Sequence, residues 1–363
     1  MHTLSLPPEL LSLVYSGLPT IEDHINLSNT CHSFRSACQL TSPNAILRLA
    51  AAQNSIYIDP DPHFLILCCG RQLSSWALAD ASRTLELRDA FRDGVDGLLA
   101  LCLKTCGLRI DDIRRMHQTR FRVLKPLYAA VAGMMPENEE GFVFSGAVWL
   151  AMDPKPIALQ LLIYAELFRC DMDAVLYPGE GLPSFGYELR LEFVKYCIPD
   201  PMCSPPHPYL EVLETGPYKK WPTLWTTHNQ LALMGIMRCP EWSRCWKSVM
   251  SEIGPQFSEP SSRAVEEGVD VLWEFYWKQS LWLSALIMQG IEGIDVMLTV
   301  SAGRKVEDVG NGKWRARLTQ IRSQVEALKE APQTHQFFQD GPRVSDAPYL
   351  LAEIRACVLG RVQ

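Results

Sequence analysis

Histidine, cysteine, serine and glycine are where chemistry would first show in this chain, and they form several groupings. Cys197, Cys203 and His207 follow one another in a proline-rich stretch, with Cys239 or His228 within reach as a fourth donor. Four such donors would suit a tetrahedral zinc ion, but this spacing matches no common zinc module. Cys102 and Cys106 stand one helical turn apart and Cys68 and Cys69 are adjacent. Both pairs read as small buried hydrophobes rather than redox or metal groups. Gly179-Glu180-Gly181, with Gly186 beyond, has the look of a phosphate-cradling loop. Pro183 interrupts it and no strand precedes it, so the strand–loop–helix order that phosphate binding needs is missing. There is no Gly-x-Ser-x-Gly elbow, no His-Glu-x-x-His and no phosphate loop with lysine, and the eight histidines fall into no defensible pairing. No catalytic residue, no metal and no cofactor is expected.

Recognition chemistry is better represented. Arg114, Arg115, Arg122 and Lys125 share one side of a helical pattern. Guanidinium clusters of this kind hold phosphate bidentately, although most such stripes are solvated helix faces. Of the 10 tryptophans, eight lie beyond residue 200. Trp and Tyr are the strongest anchors of protein interfaces, so a target-binding surface is expected from some of Trp221, Trp225, Trp242, Trp246, Trp273 and Trp277. The bland alternative for each, and for the cluster Trp273 to Trp282, is that the rings fill a core.

The elements that must carry these groups are mainly helical. A chain of 363 residues with 47% hydrophobic and 21% charged residues can build a sizeable core. Its net charge of −7 argues against general nucleic-acid binding. No apolar run reaches the ~18 residues of a membrane span; the nearest, Ser280 to Ile291, is too short. Met1 opens on a capped helix pattern rather than a signal peptide, so the 12 cysteines are expected reduced, in a cytoplasmic or nuclear chain. Helices are expected over Leu73–Gly94, Asp96–Thr105, Asp111–Met135, Ile157–Val175, Tyr187–Cys197, Ser261–Val300 and Lys313–Glu330. Phe64–Cys69 reads as a buried strand or a helix start, and Phe142–Met152 as a strand or short helix. The proline-rich stretch 198–220 is the best internal boundary. No repeat is present.

The first forty residues carry the most specific pattern. Pro7 and Pro8 suit a first helical turn and Glu9 follows where a negative charge meets the helix dipole. Leu10, Leu11 and Val14 fall together, and Gly17 and Pro19 stop the helix around Leu18. Thr20 can cap a second helix, with Asp23 three residues on. Leu27, Cys31, Phe34 and Cys38 are spaced as one helical face. Three short helices bury too little surface to be robust alone, and some of their apolar residues should face outward.

This stretch resembles an F-box. Leu6-Pro7-Pro8-Glu9 stands for the opening Leu-Pro and acidic residue. Leu10, Leu11 and Val14 stand for the Leu-Leu and aliphatic positions, and Leu18-Pro19 for the closing Leu-Pro. Asp23, Ile25 and Leu27 follow, then Cys31-His32-Ser33-Phe34-Arg35 for the Cys, polar, aromatic and Arg ending. His24, Asn29 and Thr30 stand where aliphatic residues are usual, and Phe34 where Trp is more common. The resemblance implies docking on a Skp adaptor, and through it a cullin; Leu6, Pro7, Leu10, Leu11, Val14, Leu18, Leu27, Cys31 and Phe34 are expected to supply the F-box core and the adaptor-facing patch between them, the sequence not fixing which face inward. The expected architecture is an F-box over 1–42 and a non-repeat helical domain over 43–363 that binds an unknown protein target, with no nucleic acid and no membrane. The implied function is the substrate-receptor subunit of a Skp–cullin–F-box ubiquitin ligase. Its rivals are an F-box scaffold or regulator outside a ligase, and an enzyme whose site is assembled from distant residues.

Overall fold

The computed structural model describes residues 6–52, 62–132, 143–144, 148–149, 154–198, 240–254, 278–279 and 281–329. The chain divides into two compact units, Met1–Arg122 and Val123–Gln363. The expected boundary at 198–220 lies, past Ile198, outside the described residues.

Among the described residues, the first unit holds eight α-helices: α1 (Pro8–Ser16), α2 (Ile21–Thr30), α3 (His32–Cys38), α4 (Pro43–Ala51), α5 (His63–Leu78), α6 (Ala81–Arg92), α7 (Gly94–Thr105) and α8 (Ile110–Thr119). α3 packs on both α1 and α2, while α5, α6 and α7 pack on one another. The apolar run Phe64–Leu67 is buried on every side and opens α5, so its ambiguity resolves to helix. The single helix expected over Leu73–Gly94 is two. Asp80 breaks it by turning its carboxylate back onto the Ser82 N–H at 2.7 Å, an N-cap that starts α6. The face expected from Leu27 to Cys38 is also broken. Cys31 is extended (φ −158°, ψ 167°), and α2 ends before it and α3 begins after it.

The helix expected over Asp111–Met135 is interrupted as well. α8 runs into a π-helical turn, Arg120–Leu124, before α9 (Lys125–Ala132) resumes. Pro126 supplies the reason. It lacks an N–H, and its ring would strike the carbonyl of Arg122 in a regular helix, so the wider turn upstream relieves the clash. The expected apolar stripe loses register there: Ile113 and Leu124 are buried, but Phe121 is exposed, its ring edge-on to His117 at 4.8 Å.

In the second unit, a two-residue antiparallel pair joins β1 (Val143–Phe144) to β2 (Val148–Trp149), with Val143 opposite Trp149. α10 (Pro154–Leu176) is buried along most of its length and kinked at Phe168. α11 (Tyr187–Cys197) has the span expected of it. Then follow α12 (Pro240–Ile253), α13 (Leu281–Ile287), α14 (Ile291–Ser301), a 3-10 turn Val306–Asp308, and α15 (Lys313–Ala327). α12 packs on α14 and α15. The long helical region expected to end at Val300 turns by 107° between α13 and α14, and its stretch 261–277 lies outside the described residues. Gly290 makes the turn at φ 69°, and a Cβ there would collide with the carboxylate of Glu166. No single helix among the described residues is long and apolar enough to cross a membrane.

Candidate adaptor-docking surface and the side chains behind it

Pro8 at the first helical position and Glu9 in the first turn launch α1. A helix of nine residues then divides its apolar side chains between two faces. Leu11 is 1% exposed and Tyr15 is wholly buried, its hydroxyl donating to the Phe34 carbonyl at 2.8 Å. That bond fastens α1 to α3. Burial pushes the Tyr15 phenol up, so it stays a neutral donor. Leu10, Leu13 and Val14 turn the other way and are 48%, 64% and 43% exposed. Their spacing of three and one places them on a single stripe. Of the residues expected to divide between core and adaptor patch, Leu11 therefore falls to the core: its side chain has no water-facing surface to offer. Leu13, missing from the expected set, is the most open of the three. Pro7 is also exposed, whereas Leu6, Leu18, Leu27, Cys31 and Phe34 are half-buried.

α2 is capped as its sequence suggests. Thr20 Oγ1 accepts the Asp23 N–H at 3.0 Å and its hydroxyl donates to Asp23 Oδ2 at 2.6 Å. His24 fills a position where an aliphatic is usual. It is buried with its ring 5.2 Å from that of Tyr15, and burial, against the opposing pull of a backbone hydrogen bond at Leu18, holds its pKa below the ordinary imidazole value. It therefore packs as a neutral ring. Asn29 is another departure, and it too has a use. Arg114 of α8 donates to Asn29 Oδ1 at 3.0 Å, to the buried Ser28 hydroxyl at 2.8 Å, and to Asp111 at 2.9 Å. The polar end of α2 is thus strapped to a helix 80 residues further on.

This also changes the reading of the basic stripe. Arg114 is committed to three partners and Arg115 to Asp112 at 2.6 Å. Arg114 therefore ties α8 to α2, while Arg115 has a single local partner and stays largely exposed. Of the six tryptophans from some of which a target-binding surface is expected, Trp246 is not one: it is 2% exposed on the face of α12 that meets the core. Trp221, Trp225, Trp273 and Trp277 lie outside the described residues, as does the side chain of Trp242. The proposed zinc donors are not gathered among the described residues either. Cys197 is buried and its carbonyl accepts from Gln160 at 3.0 Å, while Cys203, His207, His228 and Cys239 lie outside the described residues.

A grouping that the spacing did not announce lies in the first unit. Cys69 of α5 meets Cys102 and Cys106 at the end of α7, all three buried, with their sulfurs within 4.8 Å of one another. Hydrogen bonds from Cys102 first and Cys69 second hold the Cys106 thiol below its ordinary range, and the bond to Cys106 pushes Cys102 up. The pairs 68–69 and 102–106 were each visible in the sequence. Their meeting depends on how α5 packs on α7, which no local pattern encodes.

An exposed apolar stripe on a small helical module, backed by a packed three-helix interior, defines a protein-binding unit. The F-box domain model matches residues 3–44, so the chain carries an F-box at this position, and that domain indicates a role in adaptor binding of the Skp–cullin–F-box ubiquitin-ligase type. No match to a curated protein or to a solved structure was found.

Proposed function

We propose that this protein is the substrate-receptor subunit of a Skp–cullin–F-box ubiquitin ligase. It docks on the Skp adaptor through the open stripe Leu10, Leu13 and Val14, with Pro7 and the half-buried Leu6, Leu18, Leu27, Cys31 and Phe34 around it. A cullin joins through the adaptor, and a protein target is held by the chain beyond the F-box. The subunit performs no chemistry; it positions a target for transfer by other subunits. The observation that carries the reading is three large aliphatic side chains exposed on one nine-residue helix of an F-box. Fully covering a leucine or valine side chain stabilises by about 1.5–3 kcal/mol. Leaving three of them half-open in a module this small is unfavourable unless a partner covers them.

The experiment is an affinity measurement with a purified Skp adaptor. Leu13→Asp with Val14→Asp changes only exposed positions, so folding should survive, and adaptor affinity should fall at least a hundredfold. Leu11→Ala is the contrasting variant: it should cost about 2–5 kcal/mol of stability through the cavity it leaves. A folded Leu13→Asp/Val14→Asp chain that binds the adaptor as tightly as wild type sinks the assigned face. Purification of the adaptor without any cullin sinks the ligase assignment and favours a scaffold outside a ligase.

A further inference from the structure

Cys69, Cys102 and Cys106 have the geometry of a metal site more than of a packing accident. Three points no more than 4.8 Å apart have a centre at most about 2.8 Å from each of them. A metal–thiolate bond is about 2.3 Å long, so closing on one ion requires each sulfur to move inward by about half an ångström. The backbone that carries the thiols is already held. Asn44 donates to the carbonyls of Leu103 and Cys106 at 2.8 and 2.9 Å. Gln72, on the same helix as Cys69, brackets Gly107, donating to its carbonyl at 2.9 Å and accepting its N–H at 3.2 Å. A Cβ on Gly107 would sit 2.6 Å from the side chain of Pro43, so this turn fits closely against α4. Outer contacts of this kind are what fix ligand orientation in metal sites.

The ligand count selects the ion. Structural zinc sites are almost always four-coordinate, and three thiolates are what the cluster offers. Thiolates are soft donors and favour Cu(I) among the available ions. We propose that Cys69, Cys102 and Cys106 form a trigonal thiolate site for Cu(I). The ion would join α5 to α7, two helices that already pack on one another, and its occupancy would stabilise the folded chain.

The test uses the full-length reduced chain under anaerobic conditions, with Cu(I) presented as its bathocuproine disulfonate complex. The expected result is one Cu(I) withdrawn per chain, with thiolate-to-copper absorption in the ultraviolet. Affinity should fall at least a thousandfold in Cys69→Ala and in Cys106→Ala, and stay unchanged in Cys68→Ala, one position along the same helix and half-exposed. Gln72→Ala, which removes a positioning residue and no sulfur, should keep the stoichiometry of one and weaken binding about ten- to a hundredfold. Should the cysteine variants fail to fold, alkylation of the wild-type chain in partial denaturant decides the matter. Cu(I) must then protect Cys69, Cys102 and Cys106 while Cys68 reacts. No copper withdrawn from the chelator overturns the proposal. So does binding that survives Cys69→Ala, protection spread over other cysteines, or tight binding of Zn(II) with none of Cu(I).

Discussion

The buried polar side chains described in the first unit are His24, Ser28 and Ser74; those of the second are Gln160, Glu166, Asp171, Arg190, Ser284 and Gln289. The first set is neutral as folded. The second contains three groups that carry charge and meet specific partners. Asp171 pairs with Arg190 and also accepts the Phe185 N–H at 2.8 Å. Glu166 accepts the Ile291 N–H at 3.0 Å, at the N-terminus of α14. Arg317 reaches Asp173 at 2.8 Å and the Gln289 amide oxygen at 3.3 Å. In the first unit, by contrast, the pairs Arg92–Asp89, Lys104–Glu86 and Arg115–Asp112 are open to water. The difference follows from what each unit must hold. The first is a set of short helices held mainly by their apolar faces. The second has a kinked helix, a long loop and a 107° turn to fix, and a buried charge fixes a position more narrowly than an apolar contact does. The cost is that each partner becomes indispensable.

The largest expected effect tests that last statement. Asp171→Ala leaves the Arg190 guanidinium buried without its counter-charge, and removing one partner of a buried pair costs about 3–5 kcal/mol. Urea denaturation should show a loss of that size. Hydrogen exchange should place it at α10, α11 and the loop that carries Phe185. Replacing both partners, as Asp171→Leu with Arg190→Met, should recover most of the loss, because an apolar pair of similar volume is often neutral or better. A loss under about 1 kcal/mol for Asp171→Ala would mean the second unit does not depend on its charges.

The first unit should fail differently, by acid. Burial pushes His63, at the start of α5, down to about 4 against the pull of Asp96, and it also lowers His24. The unfolded chain takes up these protons near the ordinary imidazole value of about 6.5, and the folded unit does not. Between those two values the unfolded state binds more protons, so stability is whole above about pH 6.5 and falls as pH drops toward 4. For His63 the fall is at most about 3 kcal/mol, reached only if its remaining exposed edge gives no relief. His63→Gln should flatten the profile over this window. An unchanged slope in that variant would break the comparison, since the acid sensitivity would then lie elsewhere.

Much of the helical pattern is legible in the sequence, and most of what is not depends on distant partners. The start of α1 was readable from Pro7-Pro8-Glu9, because those residues act on their own backbone. α11 is readable from the proline-rich stretch that stops it, and most of α15 from periodicity, since α15 has one wet and one dry side. The same logic could not sort Leu10 from Leu11, because the inward face of α1 is defined by Tyr15 reaching the Phe34 carbonyl. It could not find the turn at Gly290, which accommodates a carboxylate 124 positions earlier. The third thiol at Cys69 is of the same kind. Trp246 looked like an anchor by residue type and is core by location. These differences depend on partners distant in the sequence, and local patterns carry no record of one, whereas the breaks at Asp80 and before Pro126 are local chemistry that periodicity alone does not weigh.

The smallest expected effect concerns Arg114, a charged side chain that ties two helices of the first unit together. Arg114 and Arg115 are neighbours on α8, and each pairs with an aspartate three residues earlier. Only Arg114 also crosses to α2, where Ser28 and Asn29 receive it. Hydrogen bonds to a charged group contribute about 1.5–3 kcal/mol when dry. Arg114 is about a third exposed, and water weakens the pair with Asp111 to 1 kcal/mol or less, so Arg114→Ala should cost roughly 1–1.5 kcal/mol in all. Arg115→Ala removes a mostly exposed side chain with a single local partner and should cost under about 0.5 kcal/mol. The difference between these two variants isolates the strap, since helix propensity and net charge change equally in both. If it is real, hydrogen exchange in Arg114→Ala should rise at the end of α2 and leave α5 to α7 as they were. Equal losses for the two arginines would mean that α2 is held by its apolar contacts alone, and the first unit would then rely on charge nowhere that these two substitutions reach.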